Sequence, residues 1–529
     1  MNRNKLNKYG AFGRMEGRTK YAIKNSKYGI FSKIVSLLLS FVSRTVFIKF
    51  LGNTYLGING LYTEILSVLS FAELGFGTAL TYSMYAPVAQ NDEEKIIRLL
   101  AFYKKVYNII ALVIVIAGIA ILPFLQYLVK GADGVELRDL RLYFLFFLAN
   151  TVVSYFVAYK YSFFNAQMKN YIATNIDTIT NFIIVSLQIV VIICFKNYYA
   201  YLITHTVLLA CSKLVISIYL NKREPILRVK TDTQLSKTEK AQIYKEVKGL
   251  AVHQFASVAV HSTDNIIISS LSGLGVVAVG LISNYNMIIN SVLGFVTILF
   301  SSVTSGFGNM VATSDKENYR SAFLELNFIG NWIYAFCSIA FFILIPPFIT
   351  LWIGKENLIE TASFLLIVLN CYLQGLSTVY NNARIAGGNF NKDKWIALAQ
   401  ALVNLIVSII LVQICGLVGV YIGTIVSRLV YICCRPYSTY KFLFEKSSRE
   451  YYLILIFYFC VTMIAGVCTY FATKTILQDL SIVRFVLATG IVAVLPNVVF
   501  ILFYGKTKEC KAFFNRIKSL FRRRKSEKK

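Results

Sequence analysis

Ionisable side chains inside otherwise apolar segments are the residues of this chain that could do chemistry. Placing such a group in lipid costs roughly 2.5 to 3.5 kcal/mol, so it usually faces a wet cavity or a partner and marks function. The first apolar segment carries polar residues at three-to-four spacing, as one face of a helix does. These residues are Lys33, Ser36, Ser40, Ser43 and Arg44. We therefore predict that this helix forms one wall of a polar cavity.

A second polar stripe occurs in the seventh apolar segment. It consists of His253, Ser257, His261 and Asp264. At an offset of about 220 residues, Lys33 corresponds to His253 and Arg44 corresponds to Asp264. Corresponding helices of two halves would thus present polar stripes in the same register, as two walls of one central cleft.

The second and eighth segments add further polar residues, among them Glu64, Glu73 and Asn290. Carboxylates in the cleft could bind a coupling Na⁺ or H⁺, and no other cofactor is expected. The predicted substrate-binding residues are Lys33, Ser40, Arg44, Glu64, Glu73, His253, His261, Asp264 and Asn290.

Structural roles are the alternative for several of these residues. Lys33 lies close enough to the end of its segment to extend its ammonium group into water. Arg44 could form a buried ion pair with Glu64 or Asp264. Serine and threonine side chains in membrane helices are more often packing contacts than ligands. The cavity prediction therefore depends on the stripes and not on any single residue.

Motifs for catalysis are missing. Gly505-Lys506-Thr507 resembles the end of a phosphate-binding loop, but Phe500 stands where that loop requires glycine. His253 and His261 are eight residues apart, without a third ligand nearby, so we expect no catalytic metal. The sequence predicts a protein that is neither an ATPase nor another enzyme.

Composition places the chain in a membrane. Of its 529 residues, 57% are hydrophobic and 15% are charged, against about 25% charged in soluble proteins. The net charge of +28 comes from lysine and arginine in alternate connections, which predicts cytoplasmic termini and contact with anionic lipids, not nucleic acid. We therefore expect a multi-pass membrane protein with both termini in the cytoplasm.

Fourteen apolar spans are predicted, which makes the fold all-α. Their ranges are 30–51, 57–86, 102–124, 141–164, 171–195, 198–220, 249–272, 276–311, 323–351, 361–387, 394–414, 416–440, 451–473 and 481–504. A weak internal repeat pairs Gly60 with Gly280 and Asn150 with Asn370. Because six spans separate the repeats, both halves enter the membrane in the same sense.

The repeat and the spans together predict the domain organisation. A basic tail (1–29) precedes a six-helix bundle (30–220), and a cytoplasmic linker (221–248) leads to a second six-helix bundle (249–440). Two additional helices (451–504) and a second basic tail (505–529) follow.

Three stretches near the N-terminus carry a family resemblance. They are Phe50-Leu-Gly-Asn-Thr-Tyr-Leu-Gly-Ile-Asn-Gly-Leu61, Ile65-Leu-Ser-Val-Leu-Ser-Phe-Ala-Glu-Leu-Gly-Phe-Gly77 and Tyr82-Ser-Met-Tyr-Ala-Pro87. Together with Lys95-Ile96 and Phe102-Tyr-Lys-Lys105, they resemble the Wzx-type polysaccharide repeat-unit flippases of the multidrug/oligosaccharidyl-lipid/polysaccharide (MOP) exporter superfamily, which includes MATE transporters and lipid II flippases.

The resemblance implies two six-helix bundles around a central cavity and movement of an undecaprenyl-diphosphate-linked oligosaccharide to the outer leaflet for capsular or exopolysaccharide synthesis. A polysaccharide polymerase and glycosyltransferases would be its partners. On this hypothesis Arg44 would hold the diphosphate and Lys33 would attract it. Two alternatives stay open: a cation-coupled drug exporter, and a polytopic polymerase or ligase, against which the short outer connections count.

Overall fold

A computed structural model describes residues 15–73, 75–229, 231, 233–313, 316–386 and 394–515, and within these ranges the chain contains no strand. The placement of some side chains inside the helices, including those of His253 and His261, lies outside the description. The described α-helices are α1 (Met15–Leu69), α2 (Phe76–Gln90), α3 (Glu93–Ile121), α4 (Leu125–Leu128), α5 (Leu137–Ala166), α6 (Asn170–Phe195), α7 (Tyr198–Arg223), α8 (Lys237–His261), α9 (Asp264–Leu271), α10 (Gly275–Thr313), α11 (Lys316–Ile353), α12 (Thr361–Ala386), α13 (Lys394–Thr439), α14 (Arg449–Gln478) and α15 (Ile482–Tyr504).

In the described part of the chain, eleven helices are long and apolar enough to cross a membrane. Helices suit this environment because every backbone hydrogen bond is made within the segment. The exposed faces also fit contact with lipid. On α6, for example, the exposed side chains include Ile179, Phe182, Ile183, Leu187, Val190 and Ile193. The predicted class, an all-α polytopic membrane protein, is confirmed.

Two of the eleven helices are divided by a glycine with positive φ. Gly52 in α1 has a φ of 82°, and Gly416 in α13 has a φ of 57°. A side chain would strain this backbone conformation, whereas glycine adopts it freely. Each kink falls where the sequence predicts a boundary between two spans, so these helices each contain parts of two.

A third break interrupts the second predicted span. After Leu69 the chain forms a 3₁₀ turn over Ser70–Glu73, and Gly75, with a φ of 80°, precedes the first residue of α2. The predicted span 249–272 is likewise divided, between α8 and α9. Interrupted membrane helices occur where the freed backbone groups meet protein or water instead of lipid.

The chain forms two compact units, residues 1–280 and 281–529. In the first unit α1 packs on α6, α3 packs on α5, and α7 packs on both α5 and α6. This unit also includes α8, α9 and the first turn of α10, because α8 contacts α2 and α9 contacts α1. This compact unit therefore extends to residue 280, and the predicted division into two six-helix bundles stays a prediction.

In the second unit, α11 packs against α12, α14 and α15. Polar side chains fix this packing. Trp332 Nε1 donates to Asn497 Oδ1 at 2.7 Å, and the Tyr451 hydroxyl donates to Asn327 Oδ1 at 3.2 Å. The two helices beyond the predicted repeat are thus bonded to the ninth predicted span.

The repeat-related glycines lie at a close helix crossing inside the first unit. A Cβ atom on Gly280 would stand 2.4 Å from the carbonyl oxygen of Asn53 and 3.1 Å from the nitrogen of Gly57. A Cβ atom on Gly57 would stand 1.9 Å from the carbonyl oxygen of Val276. Only glycine lets these backbones approach so closely. We call this contact the glycine crossing.

Candidate transport site

Arg44 lies on the face of α1 that packs toward α7. Its guanidinium group is half-buried and interacts electrostatically with Tyr201. One turn later on α1, the ring of Phe47 packs edge-on against that of Tyr201, with centroids 5.2 Å apart. The hydroxyl group of the neighbouring Tyr198 donates to Asn59 Oδ1 at 3.4 Å. Arg44 is therefore part of a polar and aromatic group within the first unit.

Two other residues of the first stripe have ordinary helical environments. Lys33 is half-buried, and Ser40 is exposed. The Ser40 hydroxyl donates to the carbonyl oxygen of Ser36 at 2.7 Å, a bond within its own helix. Such a bond leaves the hydroxyl oxygen available as an acceptor for a further group.

Glu64 faces the turn between α8 and α9. Its carboxylate accepts a hydrogen bond from Asn265 Nδ2 at 3.5 Å, and Ser262 lies close by. One turn along α1, Ser67 and Ser262 hydroxyl oxygens are 3.0 Å apart. The structure thus brings polar residues of the second predicted span together with the end of the second predicted stripe. These neighbours of Glu64 are neutral and do not include Arg44.

The remaining predicted residues are distributed along the chain. Asp264 is the half-buried first residue of α9, next to Asn265. Asn290 is exposed on α10 and belongs to the second unit. The side chains of His253 and His261 lie outside the described residues, so their predicted cavity role stays a prediction.

Glu73 lies at the break before α2 and points into the first bundle. Its carboxylate accepts hydrogen bonds from the hydroxyl groups of Tyr107 at 3.3 Å and Tyr155 at 3.4 Å. Glu73 therefore ties the break before α2 to α3 and α5.

Three of the charged residues in the first two predicted spans therefore face different neighbours. Arg44 contacts the α7 side, Glu64 contacts the α8–α9 turn, and Glu73 contacts α3 and α5. The spacing of polar residues in the sequence indicated polar helix faces here. It did not indicate which helix each residue would meet, because that depends on the kink at Gly52 and the break before α2.

A buried lysine missed by the sequence analysis lies between α5 and α7. Lys160 is 3% exposed, and its Nζ atom donates to Ser217 Oγ at 2.6 Å and to Asn221 Oδ1 at 3.0 Å. Lys104 on α3 is near enough to interact with it electrostatically. Among the residues described, no carboxylate lies within 4 Å of Lys160. Two features of the sequence could have revealed it: a lysine within the span 141–164, and two polar residues four positions apart, Ser217 and Asn221, near the end of the sixth span.

Buried arginines occupy a related position in the second unit. Arg428 Nε donates to Asn370 Oδ1 at 3.1 Å, and Arg435 Nη1 donates to Asn381 Oδ1 at 2.9 Å. Both arginines lie on α13, and both asparagines lie on α12. In the first unit the cation is on the fourth predicted span and its partners are on the sixth. In the second unit the cations are on the twelfth and their partners are on the tenth.

The comparisons with known proteins agree with this architecture. The structure of the lipid II flippase MurJ in an inward closed conformation matches with a TM-score of 0.64 and 16% identity, over 91% of this chain and 99% of that one. An inward-facing multidrug resistance MATE transporter of the MOP superfamily matches with a TM-score of 0.60 and 16% identity, over 77% and 96%. The MATE transporter VcmN of Vibrio cholerae matches with a TM-score of 0.56 and 13% identity, over 82% and 99%.

The chain has the MOP-superfamily fold. No protein-family model and no curated protein sequence matches it. The Wzx-type resemblance therefore remains an inference from the N-terminal residues. The MOP fold itself does not distinguish a flippase from a multidrug transporter, because both kinds of protein are among the matches.

The second unit contains an apolar crevice. It has a volume of about 320 Å³ and lies between α11, α12 and α14. Its walls include Ile339, Leu365, Val368, Phe459, Met463 and Gly466. Near one wall, Thr462 Oγ1 lies 3.3 Å from the hydroxyl oxygen of Tyr372, which itself donates to Asn331 Oδ1 at 3.0 Å. The crevice therefore offers an apolar space beside buried hydroxyl groups.

Proposed function

We propose that this chain is a flippase that moves a polyprenyl-diphosphate-linked oligosaccharide repeat unit from the inner to the outer leaflet for cell-surface polysaccharide synthesis. The observation that carries the proposal is the apolar crevice, because α14, one of the two helices beyond the predicted repeat, forms one of its walls. Such a crevice suits a branched hydrocarbon chain through van der Waals packing, because a tail that already lies in lipid gains no hydrophobic free energy on entering it.

The polar head group of this substrate requires positive charge. Lys160 is held by neutral hydrogen-bond acceptors, so its charge acts on its surroundings without cancellation by a nearby carboxylate. Arg44 has the planar donor fork that suits a diphosphate. Serine, threonine and tyrosine hydroxyl groups of the first unit would bind the sugars, and rocking of one bundle against the other would give alternating access.

The crevice can be tested by filling it. Gly466 lines the crevice, and a Cβ atom there meets only Ile339 Cγ1, at 3.7 Å. Gly466→Leu should therefore fold and place its larger side chain in the crevice. The matched control is Gly490→Leu on α15, where a Cβ atom meets nothing within 4 Å.

The assay uses purified protein in liposomes and measures translocation of a polyprenyl-diphosphate oligosaccharide. We expect Gly466→Leu to reduce the rate at least tenfold and Gly490→Leu to leave it within twofold. Cells depleted of the protein should accumulate lipid-linked oligosaccharide that external probes do not reach. Liposomes that translocate cationic drugs and leave the lipid-linked oligosaccharide in place would instead identify a multidrug exporter. Joining of repeat units in vitro would identify a polymerase or ligase.

A further inference from the structure

The first residues of α8 dock on the first bundle through a small set of contacts. Lys95 Nζ, in the first turn of α3, lies 3.6 Å from Glu239 Oε1. The ring of Tyr244 packs edge-on against the rings of Phe76 and Phe102, with centroids 6.4 and 6.3 Å apart. All of these residues belong to the first unit. The basic connections adjoin this end of the bundle, and we call it the basic end.

The docked segment has a helix start of its own. Ser236 and Glu239 form a capping box, in which the Ser236 side chain accepts from the backbone N–H of Glu239 and the Glu239 side chain accepts from that of Ser236. A capping box satisfies free N–H groups at a helix start without help from other elements. The segment can therefore remain helical whether or not it contacts α2 and α3.

A narrow apolar face orients the docked segment. Ile243 and Val247, four residues apart, are each 4% exposed, whereas the neighbouring Lys245 and Lys248 are exposed. The contacts around this face are weaker. Side chains of Lys95 and Glu239 remain 40% and 27% exposed, and partly exposed ion pairs stabilise proteins by only about 0 to 1 kcal/mol. Tyr244 is 51% exposed.

The packing at the glycine crossing can be compared with the docking of α8, because both contacts lie in the first unit. There the backbone of Gly57 meets that of Val276 so closely that no Cβ atom fits, and Val276 is fully buried. Close backbone contact of this kind excludes water. The docking of α8 depends instead on long, partly hydrated side chains. When the protein changes conformation, α8 should separate from the bundle before the glycine crossing does.

We propose that Lys95, Glu239 and Tyr244, with Phe76 and Phe102, form a latch that holds α8 against the bundle and opens at the basic end while the glycine crossing stays closed. The inference rests on the proposed function in one respect: opening the latch would admit the lipid-linked substrate from the basic side. The latch itself is a property of the first unit and can be measured without substrate.

The test measures how fast a thiol reagent labels a buried cysteine on either contact. Val247→Cys reports on the latch and Val276→Cys reports on the glycine crossing, each in the full-length protein in lipid nanodiscs, with labelling of the native cysteines subtracted. The latch is weakened by Lys95→Ala together with Tyr244→Ala. Lys245→Ala, on the exposed side of the same helix turn, is the control.

We expect the weakened latch to raise labelling at position 247 at least fivefold, with no change at position 276 and no effect of Lys245→Ala. Unchanged labelling at 247 would overturn the proposal. So would a parallel rise at both positions, because it would mean that the unit loosens as a whole. Liposomes that fail to translocate the oligosaccharide while the labelling follows the expectation would refute the proposed function and leave the latch standing.

Discussion

Lys160 Nζ lies 3.0 Å from Asn221 Oδ1, and this bond has a counterpart of reversed polarity in the second unit, where Arg435 Nη1 lies 2.9 Å from Asn381 Oδ1. Each bond joins the fourth helix of a predicted half to the sixth. A buried cation thus braces the same pair of helices in both halves, although the helix that carries it differs. The two halves thus share a hydrogen bond from a buried cation between these two helices, which we call the bridge, and either helix can supply the cation.

The bridge predicts the outcome of removing Lys160. Lys160→Met should destabilise the protein by about 1 to 3 kcal/mol, because Ser217 and Asn221 lose their donor inside the bundle. Thermal unfolding in detergent should show a clear decrease in the midpoint. Lys105→Met, at an exposed position on α3, should show none. The exchange Lys160→Asn with Asn221→Lys should recover more than half of the loss, and failure to do so would contradict the reversed-polarity interpretation.

Glu73 predicts a graded response to substitution. Glu73→Leu removes both tyrosine hydrogen bonds and should cost about 1 to 3 kcal/mol, whereas Glu73→Gln keeps one acceptor oxygen and should cost less than about 1 kcal/mol. Gly77→Ala should also destabilise, because its Cβ atom would stand 2.8 Å from Glu73 Oε1 and 3.0 Å from the Tyr107 oxygen. Thermal unfolding checks the series, with Gly490→Ala as the control. Equal midpoints for Glu73→Leu and Glu73→Gln would argue against a stabilising role for these hydrogen bonds.

The close packing at the glycine crossing predicts that adding one methyl group there, by a glycine-to-alanine substitution, will push α1 and α10 apart. Gly57→Ala and Gly280→Ala should each raise thiol labelling at Val276→Cys at least threefold, because the added Cβ atoms would overlap backbone oxygens. Gly29→Ala, on the same helix as Gly57 and with nothing within 4 Å of the added atom, should leave labelling unchanged. If Gly57→Ala labels like the unmodified protein, the close approach is not required.

Substitution of Arg44 should reduce transport while the protein is still produced at a nearly normal level. Arg44→Ala should reduce oligosaccharide translocation at least tenfold at normal expression, and Arg44→Lys should restore only part of it, because an ammonium group lacks the planar donor fork. Lys49→Ala, at an exposed position on the same helix, is the matched control. Full polymer export by cells that carry Arg44→Ala would exclude the diphosphate role.

The latch predicts a dependence on pH. A backbone hydrogen bond from Ser236, with the charges of Lys95 and Arg98, holds the pKa of Glu239 below its ordinary value, which is about 4.3. The Ser236 bond belongs to the docked segment itself, so only the part of the lowering caused by the charges of Lys95 and Arg98 depends on docking. That part contributes fully above the undocked pKa and is lost as the pH falls through the lowered value. The ratio of labelling at 247 to that at 276 should therefore stay constant from about pH 8 to pH 5 and rise below. Glu239→Gln should hold the ratio at the raised level throughout this range and remove the pH-dependent rise, and a persisting rise would assign the effect to another group.

The sequence by itself determined the class and the order of the elements. Runs of about 20 apolar residues can be stable only as helices in lipid, since each must satisfy its own backbone hydrogen bonds. The internal repeat aligned Gly60 with Gly280, but it did not indicate that the helices carrying them meet at the glycine crossing.

Only the tertiary structure decided which helices the polar residues contact. The kink at Gly52 lies between Arg44 and Glu64, and the 3₁₀ turn over Ser70–Glu73 follows Glu64. These three residues therefore meet α7, the α8–α9 turn and the α3–α5 pair. The local sequence around Lys160 is apolar and does not reveal its role, because its hydrogen-bond acceptors are some 60 residues away on another helix. Periodicity records the angle of a residue about its own helix axis. A kink or a distant partner changes what lies at that angle, and neither is written in the local pattern.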